Sequence, residues 1–318
     1  MKRFLLPETG RFFKANLHCH TTLSDGSMTP QQVKKEYAAR GYSIVAFTDH
    51  ERFFRHNNLT DGRFLALNGY EIDISQKDVA NSYFTKCYHF NAYALDEGER
   101  EPVLPKPAYG DMAGVNTFIK TLNANGFIVC YNHPYWSLQT LDDYRGLKGI
   151  FACEIFNFGA YNLDGIDGNQ TQVYDTLLRM GNRIGCVAAD DNHNRSPFGH
   201  PLNDSFGGWV MVKAENLDYK TIMAALQNGD YYASSGPAIE SLSIENDTVS
   251  ISCSEAVRIT CTTAGRHGQA ANAVGSGRLT HAKFEIDPSD VYIRLEVVDA
   301  QGARANSRAY FLDEWKAD

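Results

Sequence analysis

The chain has 318 residues, 43% of them hydrophobic and 21% charged, with a net charge of −8. That is the composition of a folded globular protein with room for one large domain, or for a medium one with a smaller companion. Residues 237–318 carry 8 Lys+Arg against 12 Asp+Glu. Both parts of the chain are therefore acidic, which disfavours a nucleic-acid partner, since such binding runs on a basic stripe that releases counterions.

No apolar run is long enough to span a bilayer, so no membrane partner is expected. In the opening "MKRFLLPETGRFFK", the apolar run is broken at Pro7 and Glu8. A signal-peptide core needs a longer run, so the expectation is a cytoplasmic protein. Cysteines stand at 19, 87, 130, 153, 186, 253 and 261. Their number is odd, they form no C-x-x-C pair, and most lie in apolar runs such as "GFIVCYN". Free, buried thiols in a reducing compartment fit this pattern.

Seven short apolar runs occupy the first two-thirds of the chain: "FFKANLHCH", "YSIVAFTDH", "RFLALNGYEI", "KCYHFNAYAL", "GFIVCYNHP", "GIFACEIFN" and "NRIGCVAADDNH". Each has the length and β-branched or aromatic content of a buried strand. Helical spacing appears between several of them. "TPQQVKKEYAARG" offers Thr29 as N-cap, Pro30 as first helical residue and Gly41 as stop. "DMAGVNTFIKTLNANG" puts Val115, Phe118, Ile119 and Leu122 on one stripe, and "NLDYKTIMAALQNG" does the same with Tyr219, Ile222, Met223 and Leu226. Strand–helix alternation of this kind predicts an α/β fold with a parallel sheet, and seven units suggest a closed or nearly closed barrel.

Near residue 233 the helical spacing stops. "TVSISCS", "AVRITCT", "HAKFEID", "VYIRLEVVD" and "SRAYFLD" read as short antiparallel strands. In "VYIRLEVV", Val291, Ile293, Leu295 and Val297 alternate with Arg294 and Glu296, which predicts one wet face. The expected organisation is a barrel over 1–235 and a small all-β sandwich over 236–318. "AGRHGQAANAVGSG" reads as the longest loop. Tyr231, Tyr232, Tyr292 and Tyr310 suit a core as readily as a ligand platform.

The strand ends carry the chemistry. The first ends in His18 and His20, which share a face. The second ends in Asp49 and His50 and the third in Glu71, while the fourth contains His89. The fifth ends in His133, the sixth contains Glu154, and the seventh closes on Asp190, Asp191 and His193. In a parallel barrel the carboxyl ends of all strands open at one mouth, so these groups converge. Each has a bland reading when taken alone: Asp25 in "SDG" as a turn residue, His133 as a satisfied strand-end histidine, Glu154 as a loop anchor. Taken together the bland reading fails, because carboxylates within apolar strands call for a partner, and a divalent cation supplies one.

"NLHCHTTLSDG", "FTDH", "GYEI", "YHFNAYALD", "YNHPYW" and "AADDNHN" resemble, in order and spacing, the motifs of the polymerase-and-histidinol-phosphatase (PHP) family over about residues 14–230. The resemblance implies a distorted (β/α)7 TIM-like barrel holding two or three divalent ions. It also implies a metal-dependent phosphoesterase that hydrolyses a small phosphorylated substrate through a hydroxide held between two ions. It places His18, His20, Glu71 and Asp191 on a first ion, and makes Glu71 a bridge to a second held by His89 and His133. Asp25, His50 and His193 would hold a third. Some family members have histidine where Asp25 stands.

Asp49 and Glu154 would orient ligand imidazoles through their free N–H. Imidazole with carboxylate suits Zn²⁺, Mn²⁺ or Fe²⁺ without choosing among them. Arg195 and Arg52 are candidates for the non-bridging phosphate oxygens, each weighed equally against a solvated surface charge. His200 in "SPFGHP" either reaches the mouth or caps it. Glu71, Asp191 and Arg195 are the residues expected to carry catalysis. His56, His267 and His281 have no evident role.

Two other functions are open to this sequence. One is metal-assisted hydrolysis of an amide, lactone or other ester, which shares His-x-His on a first barrel strand but uses a carboxylated lysine where Glu71 stands. The other is binding by the C-terminal sandwich on a metal-stabilised scaffold. The sequence does not specify an oligomeric state.

Overall fold

The computed structural model describes residues 2–314. Seven strands follow the expected runs: β1 (Arg11–Asn16), β2 (Tyr42–Phe47), β3 (Leu65–Ser75), β4 (Cys87–Ala94), β5 (Phe127–Tyr131), β6 (Ala152–Asn157) and β7 (Gly185–Ala189). They lie side by side in chain order within a large, parallel-rich sheet. The strand pairs β1–β2, β2–β3, β5–β6 and β6–β7 are parallel.

β4 departs from the expected uniform βα repeat, because it runs antiparallel to both β3 and β5. The cause is its connection. Residues 76–86 join β3 to β4 as a hairpin, and a parallel return needs a crossover of about a dozen residues or more.

Helices pack where the stripes predict them. α1 (Pro30–Ala39) starts in a reciprocal capping box, with Thr29 Oγ1 accepting from Gln32 N and Gln32 Oε1 accepting from Thr29 N at 2.8 Å. α2 (Met112–Ala124) buries Val115, Phe118, Ile119 and Leu122, each worth roughly 1.5–3 kcal/mol once removed from water. α3 (Thr171–Arg179) precedes β7. α4 (Tyr219–Asn228) ends on Gly229 at φ 75°, a left-handed cap that glycine adopts without a Cβ penalty. No helix of the described residues is long and apolar enough to cross a membrane.

The two lateral strands of the run meet just past their carboxyl ends. His20 N donates to Asn192 O, and Asp191 N donates to His18 O, both at 3.0 Å. Asn16 fastens this seam: its side-chain oxygen accepts from Asp190 N at 3.1 Å, and its amide donates to Asn192 Oδ1 at 2.9 Å. On its other edge β1 pairs from Arg11 to Ala15 with antiparallel β8 (Trp209–Ala214), which pairs with β9 (Tyr231–Ser234).

β9 pairs in turn with Arg304–Ser307, so the large sheet runs on through Tyr292–Val298, Arg258–Thr263 and Gln269–Asn272. Gln269–Asn272 lies inside the segment expected to be a loop and is a strand paired with Arg258–Cys261. A separate antiparallel sheet joins Arg3–Phe4, Ile239–Glu245, Thr248–Ala256 and Leu279–Glu285. Leu242, Ile251 and Phe284 from this sheet meet Ile259, Leu295 and Val297 from the other in one apolar core.

One open reading for this region is decided and one expectation changes. Tyr231, Tyr232, Tyr292 and Tyr310 are all buried, so they serve the core. Arg294, expected on a wet face, is only 3% exposed. It forks onto Asp175 of α3, Nε at 2.6 Å and Nη2 at 2.8 Å. The face that alternation marked as wet is covered by a helix, which alternation alone does not reveal. All seven cysteines are free and buried, as expected.

Candidate metal centre

Glu71 lies at the centre of the carboxyl rim, 1% exposed on β3. Its two oxygens face different neighbours. Oε1 lies 3.2 Å from His18 Nε2, 3.1 Å from His89 Nδ1 and 3.3 Å from His133 Nε2. Oε2 lies 3.3 Å from His20 Nε2 and 3.1 Å from His50 Nδ1. Asp191 Oδ1 approaches His18 Nε2 at 3.2 Å and His20 Nε2 at 3.1 Å. Asp25 completes a more exposed corner, with Oδ2 at 3.3 Å from His193 Nε2 and Oδ1 at 3.8 Å from both His20 and His50.

The structure therefore gathers His18, His20, Glu71 and Asp191 into one group with ligand spacing. Glu71, His89 and His133 form a second, and Asp25, His50 and His193, joined by His20, form a third. Within this cage His18 Nε2 and His20 Nε2 lie 3.1 Å apart, aimed at common space. Buried His20 Nδ1 and Asp191 Oδ1 have no well-aligned hydrogen bond. Imidazole nitrogens and carboxylate oxygens converging on common space are what a cation site requires, and imidazole with carboxylate suits Zn²⁺, Mn²⁺ or Fe²⁺. The residues present fit divalent ions.

Outer groups aim the rings. Glu154 Oε1 holds His18 Nδ1 at 2.7 Å, and Ser137 Oγ lies 3.3 Å from His133 Nδ1; each leaves Nε2 free for the cage. The backbone is strained where it must turn inward. His133 has φ 21° and Asp191 φ 53°, left-handed values rare for residues with a Cβ. Glu154 Oε2 accepts His133 N at 3.0 Å and helps hold that turn.

The electrostatics follow from burial and crowding. Burial alone would push the Glu71 carboxyl up, but the surrounding His18, His89 and His133 hold it well below its ordinary value. Burial likewise opposes charge on His18, yet Asp191, Glu71 and Glu154 carry it well above the usual imidazole range.

Other expected residues lie elsewhere or do other work. Asp49 meets no imidazole. It accepts from Thr21 N at 2.7 Å and from Ser24 Oγ at 2.8 Å, fixing the turn that carries Asp25. Asp190 turns away from the cage and accepts from the backbone N–H groups of Phe206, Gly207 and Gly208. Its burial pushes the carboxyl up to about 6.

Arg195 lines the cage cavity and reaches Asp25 Oδ2 at 2.7 Å. Arg52 and His200 are exposed and outside that lining, and His200 accepts from Leu202 N. Buried His56 packs on Phe47.

Sequence reasoning missed Asn132, whose amide donates to Glu71 Oε1 at 2.9 Å. It also missed Asn157, whose amide donates to Glu154 at 3.0 Å and Asp191 at 3.1 Å. Their position was the available signal, since Asn132 directly precedes His133 and Asn157 ends β6. Asp204, which accepts from His193 N at 2.7 Å, offered none.

The cage opens into a cavity of about 190 Å³. A larger one, about 600 Å³, is lined by Arg11, Lys34, Tyr42 and Phe64 and contains no such ligand set among the described residues.

No family model and no curated protein matches this chain. Solved structures do align with it. One is a two-domain protein from Bacteroides vulgatus containing a predicted PHP-like metal-dependent phosphoesterase, at 15% identity over 97% of both chains with a TM-score of 0.49. Another is a proposed metal-dependent phosphoesterase from Bifidobacterium adolescentis, at 15% identity over 63% of this chain and 94% of that one (TM-score 0.38). A third is an amidohydrolase from Chromobacterium violaceum with bound sulfate and no metal, at 16% identity over 56% of this chain and 87% of that one (TM-score 0.37).

Proposed function

We propose that the chain is a metal-dependent phosphoesterase acting on a small phosphorylated molecule. One observation carries this reading: Glu71 presents one oxygen to His18, His89 and His133 and the other to His20 and His50. A carboxylate so divided suits two neighbouring ions. Two or three divalent ions (Zn²⁺, Mn²⁺ or Fe²⁺) would be held as the three groups above divide the ligands. Such ions supply an activated water and positive charge matched to a phosphoryl group in flight.

The chain's own residues do the rest. Glu71 and Asp191 fix the spacing of the cage, and Glu154 and Ser137 hold the rings so that the ligand nitrogens face inward. Arg195, which lies beside Asp25 at the cavity wall, would meet a non-bridging phosphate oxygen. In this reading residues 1–235 form a distorted barrel that carries the chemistry. Residues 236–318 form an accessory sandwich, to which Arg3–Phe4 returns as an edge strand.

A panel of phosphomonoesters and phosphodiesters assayed with added Mn²⁺ or Zn²⁺ tests the proposal. Turnover abolished by chelation is expected. Silence across the panel at high enzyme loading, with turnover of amides or lactones instead, overturns it.

A further inference from the structure

The cavity walls outside the metal ligands are few, and they are asymmetric. On one side stands Arg195. On the other, the segment after β5 contributes Trp136 and the segment after β6 contributes Gly159, Leu163 and Asp164. The Trp136 ring meets His133 edge-on, centroids 5.0 Å apart at 81°, and lies 5.6 Å from His89, so it stands directly over the second ligand group. Its Nε1–H donates to Asp164 Oδ2 at 2.8 Å. That bond ties two rim segments together, while Asp164 Oδ1 has no hydrogen bond among the described residues. Gly159 keeps the floor low there, because a Cβ would lie 2.9 Å from Asp191 O.

From this wall we infer the class of alcohol that the enzyme releases, an inference that rests on the phosphoesterase reading. The Trp136–Asp164 pair selects phosphate monoesters of neutral, hydroxylated alcohols and turns away esters bearing a second anionic group. With the phosphoryl group on the cage and toward Arg195, the ester's organic part leaves along Trp136 and Leu163. The indole offers a broad face to C–H surface, and Asp164 Oδ1 accepts from a hydroxyl.

A second phosphate or a carboxylate in that position would meet the Asp164 charge. No lysine lines the cavity to offset it, and the single arginine there is already shared with Asp25. An unmatched like charge of this kind is how a site rejects a near-isosteric competitor.

Matched esters test this with the metal-loaded full chain. Glycerol 3-phosphate and 3-phosphoglycerate differ chiefly in a hydroxymethyl group against a carboxylate. The wild type is expected to favour glycerol 3-phosphate in kcat/KM by about tenfold or more. Asp164→Asn, which keeps the shape and the tie to Trp136, should bring that ratio toward one, and Asp164→Lys should invert it. Trp136→Ala should raise KM for glucose 6-phosphate more than for glycerol 3-phosphate, because only the sugar ring has a face to stack.

Equal turnover of the two three-carbon esters by the wild type, preference for 3-phosphoglycerate, or a ratio unmoved by Asp164→Asn overturns this inference and leaves the phosphoesterase reading standing. If no phosphate ester is hydrolysed and inorganic phosphate fails to bind by calorimetry, both fall together.

Discussion

Two sites of buried charge in this molecule are resolved in opposite ways. Between α3 and the C-terminal strands, Arg294 and Asp175 form a forked pair, and Asn306 accepts from the same guanidinium at 3.3 Å. That pair is electrically closed: one cation, one anion and donors matched to acceptors. At the carboxyl rim six histidines surround Glu71, Asp191 and Asp25, ring nitrogens face one another, and two buried polar atoms are left without a hydrogen bond. That set is open and can be completed only by protons or by metal cations. A closed buried pair is a matter of stability, whereas an open one needs a ligand to explain it.

The largest effect expected is at the hinge of the open set. Glu71→Gln keeps the shape and removes the shared charge. It should abolish stoichiometric ion binding, read by elemental analysis after dialysis, and lower kcat/KM by about a thousandfold or more. That exceeds the roughly 10–100-fold typical of losing an outer partner of a ligand. If Glu71→Gln still binds its ions and turns over within tenfold of wild type, the two regions are not different in kind.

The closed pair should respond in stability alone. Arg294→Met strands Asp175 in a buried seam and should cost about 3–5 kcal/mol in denaturant unfolding, while the Arg294→Met/Asp175→Leu double variant should recover most of that loss. Turnover per folded molecule should hold in both. A large drop in turnover without a drop in stability would mean that the seam communicates with the cage.

These contrasts also explain what could be read from the sequence. Strand-end histidines and carboxylates were legible because each strand has a visible end and the carboxyl ends of parallel strands meet. The helices were legible because their stripes and caps are local, as with Thr29 and Gln32. The reversal of β4 was not, since it follows from a connection too short to cross the sheet, and length is less conspicuous than pattern. Arg294 was misplaced because alternation tells which residues share a face but not what covers it. Asp49 looked like a partner for an imidazole by its place beside His50, yet its side chain faces the Thr21–Ser24 turn. Asn132 and Asn157 carry no charge, so only their positions beside His133 and at the end of β6 marked them, although they bind the carboxylates that set the cage.

A finer test lies in the groups that hold the rings. Glu154→Gln retains a hydrogen bond to His18 Nδ1 but loses its charge, so ion affinity should fall by about 10–100-fold in a calorimetric titration, with folding nearly unchanged. An equal loss of thermal stability in the metal-loaded and metal-free proteins would recast Glu154 as a structural anchor.

The smallest expected effect is a pH trend that reverses sign when metal is added. Burial alone would pull the His193 imidazole down, but its hydrogen bond to Asp25 and the Asp191 and Asp25 charges outweigh that and carry it to about 9. A histidine raised above its unfolded value of about 6.5 binds its proton more tightly in the folded state. In metal-free protein that contribution is fully present below about pH 6.5 and is lost as pH rises toward 9, with a slope of at most about 1.4 kcal/mol per pH unit for the one proton. Metal binding requires deprotonated imidazoles, so saturating Mn²⁺ should stabilise the protein increasingly over the same interval. Melting temperatures measured from pH 6 to 9 with and without the ion should therefore diverge. Parallel curves would mean that no proton leaves the cage when the ion enters, and the histidines would then be a closed network like the Arg294 seam.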